Sequence, residues 1–350
     1  MRTPSFQEDH ISQIPALRFL QSLGYTYLSP EEALAERNGK TGNVLLENIL
    51  RAQLQRINRI QYKGEAYHYT ETNIQTGINA LKEVPLQEGL ITANQSVYEL
   101  LTLGKSLEQT IEGDKKSHTL QYIDWKDWKR NTFHVTEEYK VQRAGSHEHY
   151  VPDIVLFVNG IPLVVIECKR PDRKEPLSQA ISQHLRNQRE DGIRLLYAYS
   201  QLLLSLATHA AAYATTATKE KFWSKWKEQA GQPGQLEQEL AAAKNAPLSP
   251  EQEQKLLQSR SNYTRHMVQN LLIESQLPTE QDHYLYCLCR PERLLDLVFN
   301  FIVFDAGIKK IARYQQYFAI KKTMERITVS QQGKRTGGVV WHTQGSGKSL

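Results

Sequence analysis

The stretch Val151–Arg170, VPDIVLFVNGIPLVVIECKR, contains two short apolar runs that flank the dipeptide Asn159-Gly160. Val and Ile dominate both runs, and an Asn-Gly pair between two such runs is a strong hairpin signal. The runs are apolar at odd and even positions alike, so we expect strands buried on both faces. Asp153 at the start of the first strand and Glu167 near the end of the second are unexpected charges in such a setting.

The register of the hairpin decides whether these charges meet. Glu167 and Lys169 are two residues apart and therefore share one face of an extended strand. A strict two-residue turn pairs Asp153 with Ile166 and directs Asp153 away from Glu167. A three-residue loop that extends to Ile161, or a bulge, pairs Asp153 with Glu167 on the same face. We expect the longer loop or a bulge, which brings two carboxylates and an amine to one end of the sheet.

Such a group of side chains is suited to metal-assisted hydrolysis of phosphodiesters. Asp153 and Glu167 supply the hard oxygen ligands that Mg²⁺ prefers, and the main-chain carbonyl of Cys168 is a further candidate ligand. The metal polarises a phosphoryl oxygen and lowers the pKa of a bound water, and Lys169 orients that water or stabilises developing charge. The alternative interpretation is an ordinary hairpin whose charged ends are solvated.

Composition narrows the class of protein. The length of 350 residues is sufficient for about two domains. The composition, 40% hydrophobic and 23% charged, is that of a globular protein. The formal net charge of +5 is compatible with nucleic acid without requiring it. Cys168, Cys287 and Cys289 are too few for a disulfide framework, which indicates a reducing compartment. No apolar run reaches the ~18 residues of a membrane span, so we expect a cytoplasmic protein without membrane contact.

The regions around the hairpin predict helices on a sheet. Phe133-x-Val135 and Tyr139-x-Val141 are expected strands, and between them Glu137 or Glu138 is a candidate further carboxylate for the metal. Residues 194–206 are expected to form a buried strand or helix with a helical continuation. Apolar residues at helical spacing, or helix-start signals, predict helices in 10–23, from Ser29-Pro30 onward, in 43–57, in 72–104 and through Leu177, Ile181 and Leu185.

Near the end of the chain, TQGSGKS follows Gly337–Trp341, which we predict to be a strand. The two glycines of the motif leave room for main-chain N–H groups to wrap phosphates, the lysine reaches β- and γ-oxygens, and the last serine ligates Mg²⁺. The motif therefore predicts binding of a nucleotide. The candidate nucleotide-binding residues are Thr343, Gln344, Gly345, Ser346, Gly347, Lys348 and Ser349.

Two resemblances to known families follow from these motifs. Asp153 and Glu167-Cys168-Lys169 on a buried hairpin resemble the core of the PD-(D/E)xK nucleases. The whole stretch is similar to the nuclease domain of the R subunit of type I restriction-modification enzymes. That family carries a Gln-x-x-x-Tyr element shortly after the lysine. Gln183 matches its Gln and becomes a candidate catalytic residue, but Asn187 stands in the place of the Tyr.

The C-terminal motifs resemble those of superfamily 2 helicases. TQGSGKS is similar to their motif I, although His342 departs from the glycine that opens the strict phosphate-loop pattern. KKIARYQQYFAI resembles their adenine-recognising Q motif. The resemblance implies that Gln316 reads the edge of adenine in ATP and that Arg313 lies beside it.

The resemblance implies an α/β fold: a PD-(D/E)xK nuclease-like mixed sheet flanked by helices, then a helical linker and the start of a RecA-like motor domain. We expect these in residues 1–218, 219–262 and 263–350. It also implies a subunit that translocates double-stranded DNA with ATP, cuts it with Mg²⁺ and works with modification and specificity subunits. Because the chain stops one residue after the phosphate loop, we expect a truncated piece that does not hydrolyse ATP. The alternatives are a translocase whose hairpin has no cutting role, and a subunit-docking module.

Overall fold

The computed structural model describes residues 12–170, 172–228, 232, 234–258, 260–273, 275–331, 334–335 and 337–340. The helices are α1 (Ile14–Ser22), α2 (Pro30–Glu36), α3 (Glu47–Ile57), α4 (Glu71–Lys82), α5 (Leu90–Leu103), α6 (Pro176–Asn187), α7 (Arg194–Tyr199), α8 (Gln235–Lys244), α9 (Pro250–Leu257), α10 (Asn262–Ile273), α11 (Glu280–Cys289), α12 (Pro291–Asn300) and α13 (Tyr314–Thr328). The strands are β1 (Thr26–Leu28), β2 (Ile60–Tyr62), β3 (Glu65–Tyr67), β4 (Lys105–Ile111), β5 (Asp114–Leu120), β6 (Phe133–Glu137), β7 (Val141–Gln142), β8 (His149–Tyr150), β9 (Ile154–Val158), β10 (Ile161–Cys168), β11 (Leu202–Ala207), β12 (Ala210–Ala214), β13 (Ile302–Asp305), β14 (Ile308–Ile311), β15 (Ser330–Gln331) and β16 (Lys334–Arg335).

A six-stranded mixed sheet organises the fold, with the strand order β1-β6-β9-β10-β11-β12. Neighbouring strands are antiparallel except for the pairs β1–β6 and β10–β11, which are parallel. The hairpin strands β9 and β10 lie at the centre, and every residue of both is buried. The expectation of a mixed α/β fold with a hairpin buried on both faces is therefore confirmed.

The turn of the hairpin is the tight one that Asn-Gly predicts. Ile161 pairs with Val158, so only Asn159 and Gly160 remain in the turn, with φ angles of 52° and 82°. Positive φ at both positions is the signature of a type I′ turn. A side chain at position 160 would begin 2.5 Å from the carbonyl oxygen of Leu46. The three-residue loop is therefore a wrong prediction.

The offset register comes from a bulge, the other alternative. The ladder between the strands skips Leu163, which is the extra residue on β10. Beyond this bulge Ile166 pairs with Ile154, and the next position along both strands therefore sets Glu167 opposite Asp153. A single inserted residue thus combines a tight turn with the register that brings the two carboxylates together.

Local signals explain the helices that flank the sheet. Ser29 caps α2, since its hydroxyl accepts the N–H of Glu32 and its own N–H donates to the Glu32 carboxylate. Helices α4 and α5 occupy the region predicted at 72–104. The helix predicted from residue 43 begins only at Glu47. Asn43 accepts the N–H of Leu45 with its side chain instead, a local bond that competes with helix formation.

Between Arg194 and Leu206, the order of the secondary-structure elements differs from the predicted order. A helix, α7, comes first and the buried strand β11 follows it. The reason is topological. Because β11 runs parallel to β10, the chain must first return to the other end of the sheet, and α6 with α7 makes this crossover.

The region 219–262, expected to be a solvent-facing helical excursion, is partly packed. Leu240 on α8 and Leu256 on α9 are buried, and α8 packs on α1 and α11. Lys244 at the end of α8 lies 2.8 Å from the carboxylate of Asp282, and both side chains are buried. Removing one partner of such a pair leaves an uncompensated buried charge, so this contact fixes α8 against α11.

The last described residues do not form the predicted strand. Residues 337–340 have no strand partner within the described part of the chain, and Val339 and Val340 are exposed. Trp341 lies outside the described residues. Within the described ranges, no helix is both long and apolar enough to cross a membrane.

Candidate active site

Asp153, Glu167 and Lys169 meet at one end of the central hairpin. The Lys169 ammonium lies 3.5 Å from Oδ2 of Asp153, and Asp153 lies close enough to Glu167 for its charge to raise the Glu167 pKa. All three lie on one face of the sheet, because the bulge sets Asp153 opposite Glu167 and Lys169 follows two residues later. The predicted convergence of two carboxylates and an amine is therefore present.

Main-chain groups of Cys168 hold this arrangement. Its N–H donates to Oδ2 of Asp153 over 2.7 Å, and its carbonyl accepts from the Lys169 ammonium over 2.6 Å. The carbonyl predicted as a metal ligand thus borders the group. The Cys168 thiol is fully buried, and burial raises its pKa well above the ordinary value, which makes it an inert core side chain.

Helix α6 covers Glu167 and supplies a donor to each of its carboxylate oxygens. Gln183 donates its side-chain amide to Oε2, and Asn187 donates to Oε1 over 3.3 Å. These residues lie four apart and therefore share one face of the helix. The structure thus brings Gln183, predicted from the family element, into direct contact with the site. Asn187, at the departing position, is also in contact with it.

The pKa of Glu167 reflects its burial next to a second carboxylate, Asp153. Burial raises the pKa of Glu167 well above its ordinary value, and the neighbouring Asp153 raises it further. The positive charge of Lys169 acts in the opposite direction. A carboxylate pair of this kind is stabilised by any cation that binds between its members.

Glu137 and Glu138 have different surroundings. Glu137 lies on the opposite face of the sheet, where it accepts from the Tyr27 hydroxyl and pairs with Arg260. Glu138 has a positive φ of 47°, and its N–H donates to the Asp153 carbonyl. Its carboxylate accepts from the Gln13 side chain over 3.3 Å. Glu137 is therefore excluded as a direct partner of the pair, and Glu138 is the nearer candidate.

The donor set fits Mg²⁺. Among the described residues, no group of three or more His, Cys, Asp and Glu side chains could hold a metal. Mg²⁺, however, needs only one or two carboxylates, because it keeps several waters. Ser205, the neighbour of Glu167 on β11, carries a buried hydroxyl without a hydrogen-bond partner among the described atoms. An orphaned polar atom beside a carboxylate pair is consistent with a site that completes its contacts with a hydrated ion.

The second group of predicted site residues is only partly described. Gln316 accepts the main-chain N–H of Arg313 over 2.8 Å and so closes the first turn of α13. Both residues line a cavity of about 580 Å³ between β12 and the β13–β14 hairpin. Residues 343–349, which carry the predicted phosphate loop, lie outside the described residues.

Sequence reasoning missed the residues behind the carboxylates. Arg186 donates to the side-chain oxygen of Asn187 over 3.1 Å. Tyr197 and His184 are fully buried and joined by a hydrogen bond of 3.1 Å. His184 could have been predicted, because it lies next to Gln183 in the sequence of helix α6. No local sequence pattern connects Tyr197 to the site.

Comparisons with known proteins identify the family of this chain. The family model for the N terminus of type I restriction enzyme R proteins matches residues 5–222. The model for the SWI2/SNF2 ATPases matches residues 315–350. The HindI type I restriction enzyme endonuclease subunit of Haemophilus influenzae is 29% identical over 98% of the chain. A second relative is the putative MjaIXP type I restriction enzyme endonuclease subunit of Methanocaldococcus jannaschii, which is 25% identical over 98%.

The chain spans 29% and 30% of the lengths of these two relatives, so it corresponds to less than a third of each. The match to the R protein family nevertheless covers more than half of the chain and includes the central sheet and the carboxylate pair. The chain therefore belongs to the family of type I restriction enzyme R proteins.

Proposed function

We propose that this chain is the nuclease module of a type I restriction R subunit, with a PD-(D/E)xK fold, and that it cleaves phosphodiester bonds of double-stranded DNA with Mg²⁺. The observation that carries the proposal is the convergence of Asp153, Glu167 and Lys169 at one sheet end. Burying two carboxylates in contact is costly for a fold. A divalent cation bound between the two carboxylates would offset this cost, because its charge counteracts their mutual repulsion.

The residues have distinct roles in this hydrolysis. Water adds across a P–O bond, so the bond between phosphorus and the leaving oxygen breaks and that oxygen takes up a proton. Lys169 lies beside the carboxylates and is placed to orient the water or to stabilise the charge that develops on the phosphate. Gln183 and the Cys168 N–H hold Glu167 and Asp153, respectively, in their positions.

Asp153, Glu167 and the Cys168 carbonyl are the groups that would hold Mg²⁺. The bound ion supplies Lewis acidity towards the phosphoryl oxygen and lowers the pKa of a coordinated water. Glu138 is the candidate for a further acidic contact, because its main chain is bonded to that of Asp153.

Binding of ATP by the C-terminal segment is a second function that we propose. The match to the SWI2/SNF2 ATPases over residues 315–350 supports it, together with the TQGSGKS motif. In the assembled enzyme, ATP-driven translocation along DNA would precede cleavage, and modification and specificity subunits would complete the complex.

The test uses the assembled restriction complex with substitutions in this chain. Asp153→Asn and Lys169→Met are each expected to lower the rate of DNA cleavage by about two orders of magnitude or more, since each removes a group that acts on the reacting phosphate. ATP turnover and translocation should continue at the unsubstituted rate, because they depend on the motor.

Asp172→Asn is the matched control, since Asp172 is an exposed carboxylate that pairs with Arg170 three residues beyond the lysine. It should leave both cleavage and ATP turnover unchanged. Cleavage at the unsubstituted rate by Asp153→Asn would overturn the assignment of the site. Equal loss of cleavage and ATP turnover would point to a motor without a separate nuclease.

A further inference from the structure

Arg186, on the helix that covers Glu167, is an exposed cation held beside the carboxylate pair. Its Nε and Nη2 atoms donate to the side-chain oxygen of Asn187 over 3.3 and 3.1 Å. The amide nitrogen of Asn187 in turn donates to Oε1 of Glu167 over 3.3 Å. A single side-chain amide therefore lies between the Arg186 guanidinium and the proposed cation site.

The ring of Tyr150 is a second support for this guanidinium, which lies 4.5 Å from the ring centroid. The face of an aromatic ring attracts a cation, so the ring and the Asn187 oxygen together restrict the position of the Arg186 side chain. A side chain that is already ordered loses less conformational entropy when it binds a ligand. Arg186 is thus a preorganised donor at the edge of the site.

A second arginine, Arg143, contacts the same ring but differs in its charge balance. Its guanidinium lies 4.7 Å from the centroid of Tyr150 and pairs with the carboxylates of Glu148 and Asp191. Arg186 forms no ion pair with any carboxylate in the described part of the chain. The charge of Arg143 is therefore compensated within the fold, whereas that of Arg186 remains available to an anion.

The unused donors of Arg186 lie on one edge of its guanidinium. The bonds to Asn187 use the Nε proton and one Nη2 proton. Both Nη1 protons and the second Nη2 proton have no acceptor among the described residues. The edge formed by Nη1 and Nη2 is the fork that matches two oxygens of a phosphate group.

We propose that Arg186 binds a backbone phosphate of the DNA strand, next to the phosphodiester that is cleaved. This inference rests on the proposed nuclease function, because the cation site defines where the cleaved phosphodiester lies. Successive phosphates of a strand advance by about 3.4 Å along the duplex axis, so a neighbouring phosphate is within reach of a donor one amide away from Glu167. Such a contact fixes the position of the strand over the carboxylates and reads no sequence.

DNA binding by the 350-residue chain tests this in EDTA, where the absence of metal prevents cleavage. The probe is a fluorescein-labelled DNA duplex, and its anisotropy gives the dissociation constant between about 50 and 200 mM salt. Arg186→Met removes the charge and keeps an apolar chain over Tyr150. The dissociation constant at low salt should rise about tenfold, and the slope of log K against log salt should fall by about one, because one phosphate contact is lost.

Arg143→Met is the matched control. It removes the same charge from the same ring, but Glu148 and Asp191 already balance that charge, so the salt slope should keep its unsubstituted value. Arg186→Lys keeps the charge without the fork, so it should restore the slope while the affinity stays reduced. Equal slopes in the two methionine variants would overturn the inference, as would failure of the unsubstituted chain to bind the duplex at low salt.

Binding of Mn²⁺ separates a contact with DNA from a structural role of Arg186. Mn²⁺ shares the oxygen ligands of Mg²⁺, and electron paramagnetic resonance follows its binding in the absence of DNA. Arg186→Met should bind Mn²⁺ as tightly as the unsubstituted chain, because Asn187 keeps its bond to Glu167. Weaker Mn²⁺ binding with an unchanged salt slope would show that Arg186 only positions Asn187, which contradicts the inference.

The salt slope and the cleavage assay together separate this inference from the proposed function. An unchanged slope in Arg186→Met, combined with loss of cleavage in Asp153→Asn, would overturn the inference and leave the nuclease assignment in place. A lowered slope in Arg186→Met, combined with full cleavage by Asp153→Asn, would overturn the nuclease assignment and retain Arg186 as a contact to DNA.

Discussion

Oδ2 of Asp153 accepts a hydrogen bond of 2.7 Å from the main-chain N–H of Cys168. This bond depends on the bulge at Leu163, which shifts the register by one residue so that Asp153 lies opposite Glu167 and not opposite Ile166. A backbone donor cannot rotate away as a side chain can. Asp153 is thereby fixed by the same strand that carries Glu167, and the two carboxylates cannot separate without breaking the hairpin.

The neutral state of His184 predicts a dependence of stability on pH. Burial lowers its pKa from 6.5 to about 4 in the folded protein, so the unfolded chain binds a proton more readily between these values. The stability is therefore fully present above about pH 6.5 and is lost as the pH falls towards 4, by up to about 3 kcal/mol. Urea unfolding at pH 7.5 and pH 5 measures this loss. His184→Gln, which keeps a donor and an acceptor, should reduce the difference, and an unchanged difference would contradict the assignment.

Gly160 should be the most sensitive position of the turn. Gly160→Ala places a methyl group 2.5 Å from the Leu46 carbonyl oxygen at a φ of 82°, whereas Gly113→Ala has nearly the same φ, 83°, with open space around it. The strain common to both is about 1 kcal/mol, and the clash adds roughly 2 kcal/mol at position 160 alone. Chemical denaturation of both variants measures the difference. Equal losses would show that the Leu46 loop moves freely.

Loss of the hydroxyl at two buried serines should have different effects on the free energy of unfolding. Ser200 donates to the Leu196 carbonyl over 2.8 Å, whereas the Ser205 hydroxyl has no partner among the described atoms. Ser200→Ala should cost about 1 kcal/mol of unfolding free energy. Ser205→Ala should be neutral or stabilising in metal-free protein and should weaken Mn²⁺ binding. A stability loss at Ser205 equal to that at Ser200 would reveal a hidden partner.

The sequence was sufficient for the parts of the site that depend on local patterns. The apolar runs and Asn-Gly identified the buried hairpin, and two-residue spacing placed Glu167 and Lys169 on one face. The position of the bulge could not be read from the sequence, because Pro162, Leu163 and Val164 are all apolar and any of them could be the extra residue. The hydrogen bond between Tyr197 and His184 was hidden for a different reason. Helix α7 meets the site only through the crossover that the parallel strand β11 requires.

We propose that Asp153 and Glu167 together bind one divalent cation. The most direct measurement is an anomalous-scattering map from a crystal of the chain soaked in Mn²⁺. We expect one peak between the two carboxylates and beside the Cys168 carbonyl, and no peak in Glu167→Gln. A map without density at that position in the unsubstituted protein, with Mn²⁺ bound elsewhere, would contradict the assignment of this pair as a cation site.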